Sequence, residues 1–227
     1  MLEENLSNTA NRTVWIFDLD NTLYHADSYL FPQMDLRMGG FIADLMGIEY
    51  AEAKIIQKGY FVKYGTTLSG LMNDHGVDPE TFLDYVHDVD LAPIAPDPSL
   101  ANKISKLNGK KLVFTNGSYG HADRILKHLN MDHLFDGLFG VGQSGYIPKP
   151  AQKAYDIFLD HFDVEAKNAV MIDDMSRNLI PAYKMGMKTV WLQTNNAWGG
   201  LDHHDDHVDH EINCLDTWLG RVVGETA

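Results

Sequence analysis

Cysteine is nearly absent from this chain: Cys214 stands alone among 227 residues. One thiol can close no internal disulfide and cannot build a multi-cysteine zinc cage, and it fits a reducing compartment. Positive charge is also scarce, with 18 Lys and Arg against 32 Asp and Glu and a formal net charge of -14. That balance opposes binding to a nucleic acid polymer or an anionic membrane surface, so a small anionic ligand would need locally gathered positive charge. No stretch approaches the ~20 apolar residues of a membrane span. Met1 to Thr13 is polar and carries Glu3 and Glu4 where a secretory signal needs basic residues and an apolar run, which leads us to expect a cytoplasmic chain.

What is present is material for a core, since 44% of the residues are apolar. The length suits one large domain or a main domain with a smaller insert. Val14-Trp15-Ile16-Phe17 reads as a buried strand, and it ends abruptly in Asp18-Leu19-Asp20-Asn21-Thr22. A lone Asp after a strand is ordinarily a cap or turn former. Two acids at i and i+2 beyond a buried strand repel each other unless a cation or proton sits between them. Ligands of open α/β sheets bind at such strand ends.

Residues 1–12 read as a loose polar arm. From Tyr24 to Ala95 apolar residues recur at helical spacing and strand-like runs are missing, which predicts an insert of four helices. These are Pro32 to Met46, Tyr50 to Tyr64, Thr67 to His75, and one opened by Asp78-Pro79-Glu80. The prolines of Ala92-Pro93-Ile94-Ala95-Pro96-Asp97-Pro98 stiffen the exit. Beyond them short apolar runs alternate with helical patterns, as βαβ units require. Strands are expected at Lys111 to Thr115, Gly137 to Val141, Ala169 to Asp173 and Thr189 to Leu192. The helices are expected at Ser99 to Leu107, His121 to Leu129, Pro150 to Phe162, Ser176 to Met185 and Leu215 to Val222. The fold class is therefore α/β, a doubly wound, Rossmann-like parallel sheet over 13–23 and 96–227, interrupted by helical residues 24–95.

Three further segments bring polar chemistry to the sheet. Lys111-Leu112-Val113-Phe114 runs into Thr115-Asn116-Gly117-Ser118, where a hydroxyl, an amide and a glycine-permitted turn can present a phosphate nest. Ile147-Pro148-Lys149-Pro150 fixes a lysine just before a helix, suited to holding an anion. Ala169-Val170-Met171-Ile172 ends in Asp173-Asp174, with Asn178 following. If that strand neighbours the first, Asp18, Asp20, Asp173 and Asp174 converge into an all-oxygen site of the kind Mg2+ prefers.

The order Asp18-x-Asp20-x-Thr22, Thr115-Asn116-Gly117, Lys149-Pro150, Asp173-Asp174 resembles the four motifs of the haloacid dehalogenase superfamily, and the helical insert resembles the cap many members place after the first strand. Leu23-Tyr24 and Tyr64-Gly65-Thr66-Thr67-Leu68 look like the pyrimidine 5′-nucleotidase branch. The resemblance implies a phosphomonoesterase in which Asp18 attacks phosphorus to form an aspartyl-phosphate. Asp20 then serves as general acid and base, Thr115 and Asn116 hold the phosphate, and Lys149 neutralises charge. It further implies Mg2+ on Asp18, the Asp20 carbonyl and Asp174, with Asp173 a direct ligand or a supporting group. Asn178 stands where many relatives carry another acid, and Asn21 replaces a common glycine. Dehalogenating relatives lack the Asp20 equivalent, so its presence argues for phosphate chemistry.

The expected substrate is a small phosphorylated molecule, foremost a pyrimidine nucleoside 5′-monophosphate. The alternatives are a sugar phosphate or phosphoglycolate, or a protein that binds a nucleotide or partner without turning it over. Phe31, Tyr60, Phe61 and Tyr64 could stack on a base, although aromatics at helical spacing more often form core. Tyr24 and His25 follow the first motif closely enough to meet a leaving group. The segment Asp202-His203-His204-Asp205-Asp206-His207-Val208-Asp209-His210 is metal-site-like in composition but reads as a solvated acidic loop.

Overall fold

A computed structural model of the chain describes residues 9–24, 30–194 and 198–225. The chain begins its sheet with β1 (Val14–Phe17), all four residues of which are buried. Four helices follow: α1 (Leu30–Met46), α2 (Tyr50–Tyr64), α3 (Thr67–His75) and α4 (Pro79–His87). The rest alternates as α5 (Pro98–Lys106), β2 (Lys110–Phe114), α6 (Tyr119–His128), β3 (Gly137–Phe139), α7 (Gln152–Phe162), β4 (Ala169–Asp173), α8 (Ser176–Lys184), β5 (Lys188–Leu192), β6 (His210–Ile212) and α9 (Leu215–Val222).

The strands form one six-stranded sheet in the order β3-β2-β1-β4-β5-β6, and every pairing is parallel. Alternate β1 residues enter different clusters, Trp15 and Phe17 on one face with Val113 and Ile172, Val14 and Ile16 on the other with Leu112 and Met171. Both faces are therefore apolar, which is why these strands read as continuous hydrophobic runs. Each such side chain contributes about 1.5–3 kcal/mol by burial. The order reverses at β1, whose neighbours are β2 and β4. Phe17 lies level with Val113 and Ile172, so the residues next in line from three strands meet at one edge of the sheet.

Local signals explain the helices of the insert. Thr66 caps α3 by accepting from the Ser69 amide at 3.1 Å, and Asp78 caps α4 by accepting from the Thr81 amide at 2.9 Å, with Pro79 in the first turn. α1 starts earlier than expected, and Pro32 sits within its first turn, where its missing N–H costs nothing. α1 packs on α2 and α4, and α2 on α3.

Two expectations are corrected. Residues 9–12 are not a loose arm: Thr9 is fully buried, its hydroxyl pairs with His210 Nε2 at 2.8 Å, and Thr13 donates to the Asn168 carbonyl. Residues 1–8 of that arm lie outside the described residues. In the His/Asp-rich segment Asp202, His204 and Asp206 are exposed, as in a solvated loop, but His207 is not: it is buried, with its Nε2 2.9 Å from the Ser176 hydroxyl, and the segment leads into edge strand β6. Polar partners inside the fold, rather than solvent, satisfy Thr9 and His207.

Candidate active site

Asp18 directly follows β1, and its amide donates to the Ile172 carbonyl of β4 at 2.9 Å. Its Oδ1 accepts from Lys149 Nζ at 2.8 Å and its Oδ2 from the Thr22 hydroxyl at 3.2 Å. Lys149 is 1% exposed, and it spends the rest of its donors on the Phe114 carbonyl at 2.8 Å and Asp173 Oδ2 at 2.6 Å. Burial opposes the ammonium charge, but Asp173 and Asp18 outweigh it and raise its pKa above the usual lysine range. Burial also pushes the Asp18 carboxyl up to about 7, against the pull of Lys149 and with the neighbouring Asp173 and Asp20 adding to the rise.

The Asn116 amide fixes the loop that carries Lys149. Its Nδ2 donates to the Lys149 carbonyl at 3.1 Å and its Oδ1 accepts from the Lys149 amide at 2.7 Å. Thr115, 1% exposed, hangs on β3 through its amide and accepts from the Gly117 amide at 2.9 Å with its hydroxyl. Asp173 is enclosed: Oδ1 accepts from the Met175 amide and from Asn178 Nδ2, each at 2.9 Å, and Oδ2 from Lys149. Asp174 is buried beside it, and its carbonyl accepts from Trp191 Nε1 at 3.0 Å.

Asp20 Oδ1 accepts from the Tyr24 hydroxyl and lies 3.1 Å from His121 Nε2, while Oδ2 lies 3.5 Å from the Thr115 hydroxyl. Burial raises the carboxyl's pKa, but His121, Tyr24 and His87 outweigh that and hold it below the ordinary value. Asp18, Asp20, Thr115, Asn116, Lys149, Asp173, Asp174 and Asn178 thus meet at one sheet edge. Among the described residues, carboxylate oxygens of Asp18, Asp173 and Asp174 come within 4.8 Å of one another. A hard, all-oxygen, negatively charged donor set with a single buried ammonium nearby fits Mg2+.

Above this edge lies a cavity of about 690 Å³ whose far wall is the helical insert. Phe31 and Phe61 line it, but Tyr60 and Tyr64 do not. Those two hydroxyls instead engage His75 and Asp74. His25 lies outside the described residues. Residues that sequence reasoning passed over also face the cavity: His87 from α4, Arg177 from α8 and Trp198. Arg177 is 7% exposed, lies 4.5 Å over the Phe61 ring and donates to the Gly65 carbonyl at 3.0 Å. His121 has a legible signal: it is third in the helix that the Ser118 cap opens, directly after Thr115-Asn116-Gly117, so it belongs to the turn facing the strand end.

Fold and site together define a hydrolase built on a Rossmann-like sheet, with its acids at the topological switch point. The chain belongs to the haloacid dehalogenase-like hydrolases, matching that family over residues 13–183. It is 29% identical over 197 residues to Phosphate metabolism protein 8 of Saccharomyces cerevisiae, covering 78% of this chain and 60% of that protein. It therefore spans about three-fifths of that relative's length. Among solved structures it resembles a haloacid dehalogenase-type phosphatase of Thermococcus onnurineus (TM-score 0.63, 19% identity, 94% of this chain and 98% of that one). It also resembles the haloacid dehalogenase-type hydrolase YfnB of Bacillus subtilis bound to magnesium (TM-score 0.62, 15% identity, 94% and 99%).

Proposed function

We propose that the chain is a Mg2+-dependent phosphomonoesterase working through an aspartyl-phosphate on Asp18, with pyrimidine nucleoside 5′-monophosphates as preferred substrates. The observation that carries the reading is the placement of Asp18 against Lys149 Nζ at 2.8 Å, with Asp20 Oδ2 beside the Thr115 hydroxyl of the phosphate cradle at 3.5 Å. Asp18 attacks phosphorus while Lys149 and the Thr115-Asn116 turn hold the phosphoryl oxygens. Asp20 protonates the leaving alcohol and later takes a proton from the water that opens the acyl phosphate. Asp18, the Asp20 carbonyl and Asp174 would hold Mg2+. Asp173, whose oxygens are already taken by Lys149, Met175 and Asn178, orients Lys149 from behind. When bound, the cation offsets the charge of the phosphoryl oxygens and of the carboxylates around them.

Residues 24–95 would act as a cap over the core formed by 13–23 and 96–227. Its cavity wall includes Phe31, Met34, Met38, Phe61 and Phe82, which favours a leaving group with a flat, apolar face over a small acid such as glycolate. Gln57 and Lys58 add polar groups to that wall.

The test is phosphate release from UMP, CMP, AMP, phosphoglycolate and 4-nitrophenyl phosphate, with and without Mg2+. UMP and CMP should turn over fastest, and EDTA should abolish release. Asp18→Asn should eliminate turnover without unfolding the chain. Release from none of the five esters, or retained turnover in Asp18→Asn, would overturn the reading.

A further inference from the structure

Asp20 has two carboxylate oxygens, and their surroundings differ. Oδ1 receives the Tyr24 hydroxyl and His121 Nε2, the latter at 3.1 Å. A carboxylate flanked in this way can only accept, so the Tyr24 O–H and the His121 Nε2–H must both donate. Among the described residues Oδ2 has only the Thr115 hydroxyl, at 3.5 Å, on the side where the phosphate cradle lies. We infer that His121 and Tyr24 are positioning residues that clamp Oδ1 of Asp20, leaving Oδ2 as the oxygen that carries the proton to and from the substrate. The inference rests on the phosphatase reading of the site and adds to it which oxygen works and what holds it.

Two donors on one oxygen stop the carboxylate rotating about its terminal bond, which keeps Oδ2 aimed at the departing oxygen and supplies the orientation that acid catalysis needs. In the first half-reaction the Asp18 oxygen to phosphorus bond forms and the phosphorus to alcohol-oxygen bond breaks. The proton on Asp20 Oδ2 passes to the departing alkoxide.

The clamp is itself held from both parts of the molecule. The His121 ring, 2% exposed, stacks on His87 of α4 with centroids 4.0 Å apart and planes 14° from parallel. His87 Nδ1 in turn pairs with the Ser118 hydroxyl at 2.9 Å. Gly117 leaves the room required, since a Cβ there would come within 3.2 Å of His121 Cδ2 and 3.3 Å of the Thr115 hydroxyl oxygen.

Leaving-group chemistry separates this role from a merely structural one. An alkoxide departs only with a proton, whereas 4-nitrophenolate departs without one. The kcat/KM value reports steps up to formation of the aspartyl-phosphate and is blind to the later work of Asp20 as a base. His121→Phe keeps the ring and its stack on His87 but removes the donor.

It should lower kcat/KM for UMP by about 100-fold, the scale of general acid catalysis, while 4-nitrophenyl phosphate falls only about threefold. His121→Gln, which returns an N–H, should recover most of the UMP rate. Tyr24→Phe loses only a hydroxyl, should show the same pattern more weakly, and carries the test if His121→Phe does not fold. Equal losses on both esters, or no loss on UMP, in variants of an active wild type would sink the clamp alone. Wild type that releases phosphate from neither ester would sink the phosphatase reading, and the clamp with it.

Discussion

Lys149 shows how much of the site depends on one side chain. Its ammonium sits between Asp18 and Asp173 with donor distances of 2.8 and 2.6 Å, and it is the only counter-charge those two buried acids share by direct contact among the described residues. Lys149→Met keeps the volume but leaves the acids facing each other, and removing one partner from a buried pair costs about 3–5 kcal/mol. Urea denaturation in EDTA should show that loss, with part of it restored by Mg2+ through binding to the folded state. A variant as stable as wild type in EDTA would contradict this account of the charge balance. The sequence made Lys149, Asp18 and the Asp173-Asp174 pair legible because polar residues stood out at the ends of apolar runs. It left the division of labour between Asp173 and Asp174 open, because adjacent acids look alike until their hydrogen bonds are known. His87 and Arg177 were passed over for a related reason. Each sits on a helix, and which face of a helix meets the site depends on packing that spacing alone does not fix.

At the scale of elements, the helices of the insert were the most legible part, since Asp78-Pro79 and Thr66 are start signals with a local mechanism. β6 escaped because three residues at a sheet edge, His210–Ile212, carry no periodicity. The same ambiguity hid the burial of Thr9 and His207, polar residues whose partners are distant in sequence. α4 shows what helical packing adds. It brings His87 into the interior, where burial, then the nearby His121 and Arg124, push the pKa down from 6.5 to about 3 against the upward pull of Asp20. The unfolded chain protonates this imidazole at its ordinary pKa while the folded chain resists. The stability from its neutral burial is thus full above pH 6.5 and is lost as pH falls toward 3. Chemical denaturation across pH 4 to 7 should therefore give a shallower acid-side decline for His87→Phe than for wild type. The decline should not vanish, because His207 and His210 are also held low by burial. Identical slopes in the two proteins would contradict the buried, neutral state of His87.

Taken as a whole, the molecule places its cavity between the sheet edge and the insert, so polar ties across that gap govern how firmly the insert sits. Arg124 donates to the His87 and Val89 carbonyls at 2.9 and 3.1 Å, tying α6 to the exit of α4. Arg177 works at the other side: it donates to the Gly65 carbonyl at the end of α2 and lies over Phe61, which in turn meets Trp198 edge-on at 5.5 Å. Gly65 has φ 85° and ends α2, so the tie falls on a joint between two helices rather than within one. Local opening follows the contacts an element itself makes, and the sheet keeps its own apolar clusters whether or not this tie is present. Arg177→Leu retains apolar bulk against Phe61 but removes the donor to Gly65. Hydrogen exchange should then quicken at the amides of residues 61–67 by about tenfold, the effect of losing a charge-assisted hydrogen bond of ~1.5 kcal/mol, while β1 and β4 keep their protection. Uniform acceleration across the sheet would mean that Arg177 supports the core itself, and unchanged exchange at 61–67 would mean that the insert is held without it.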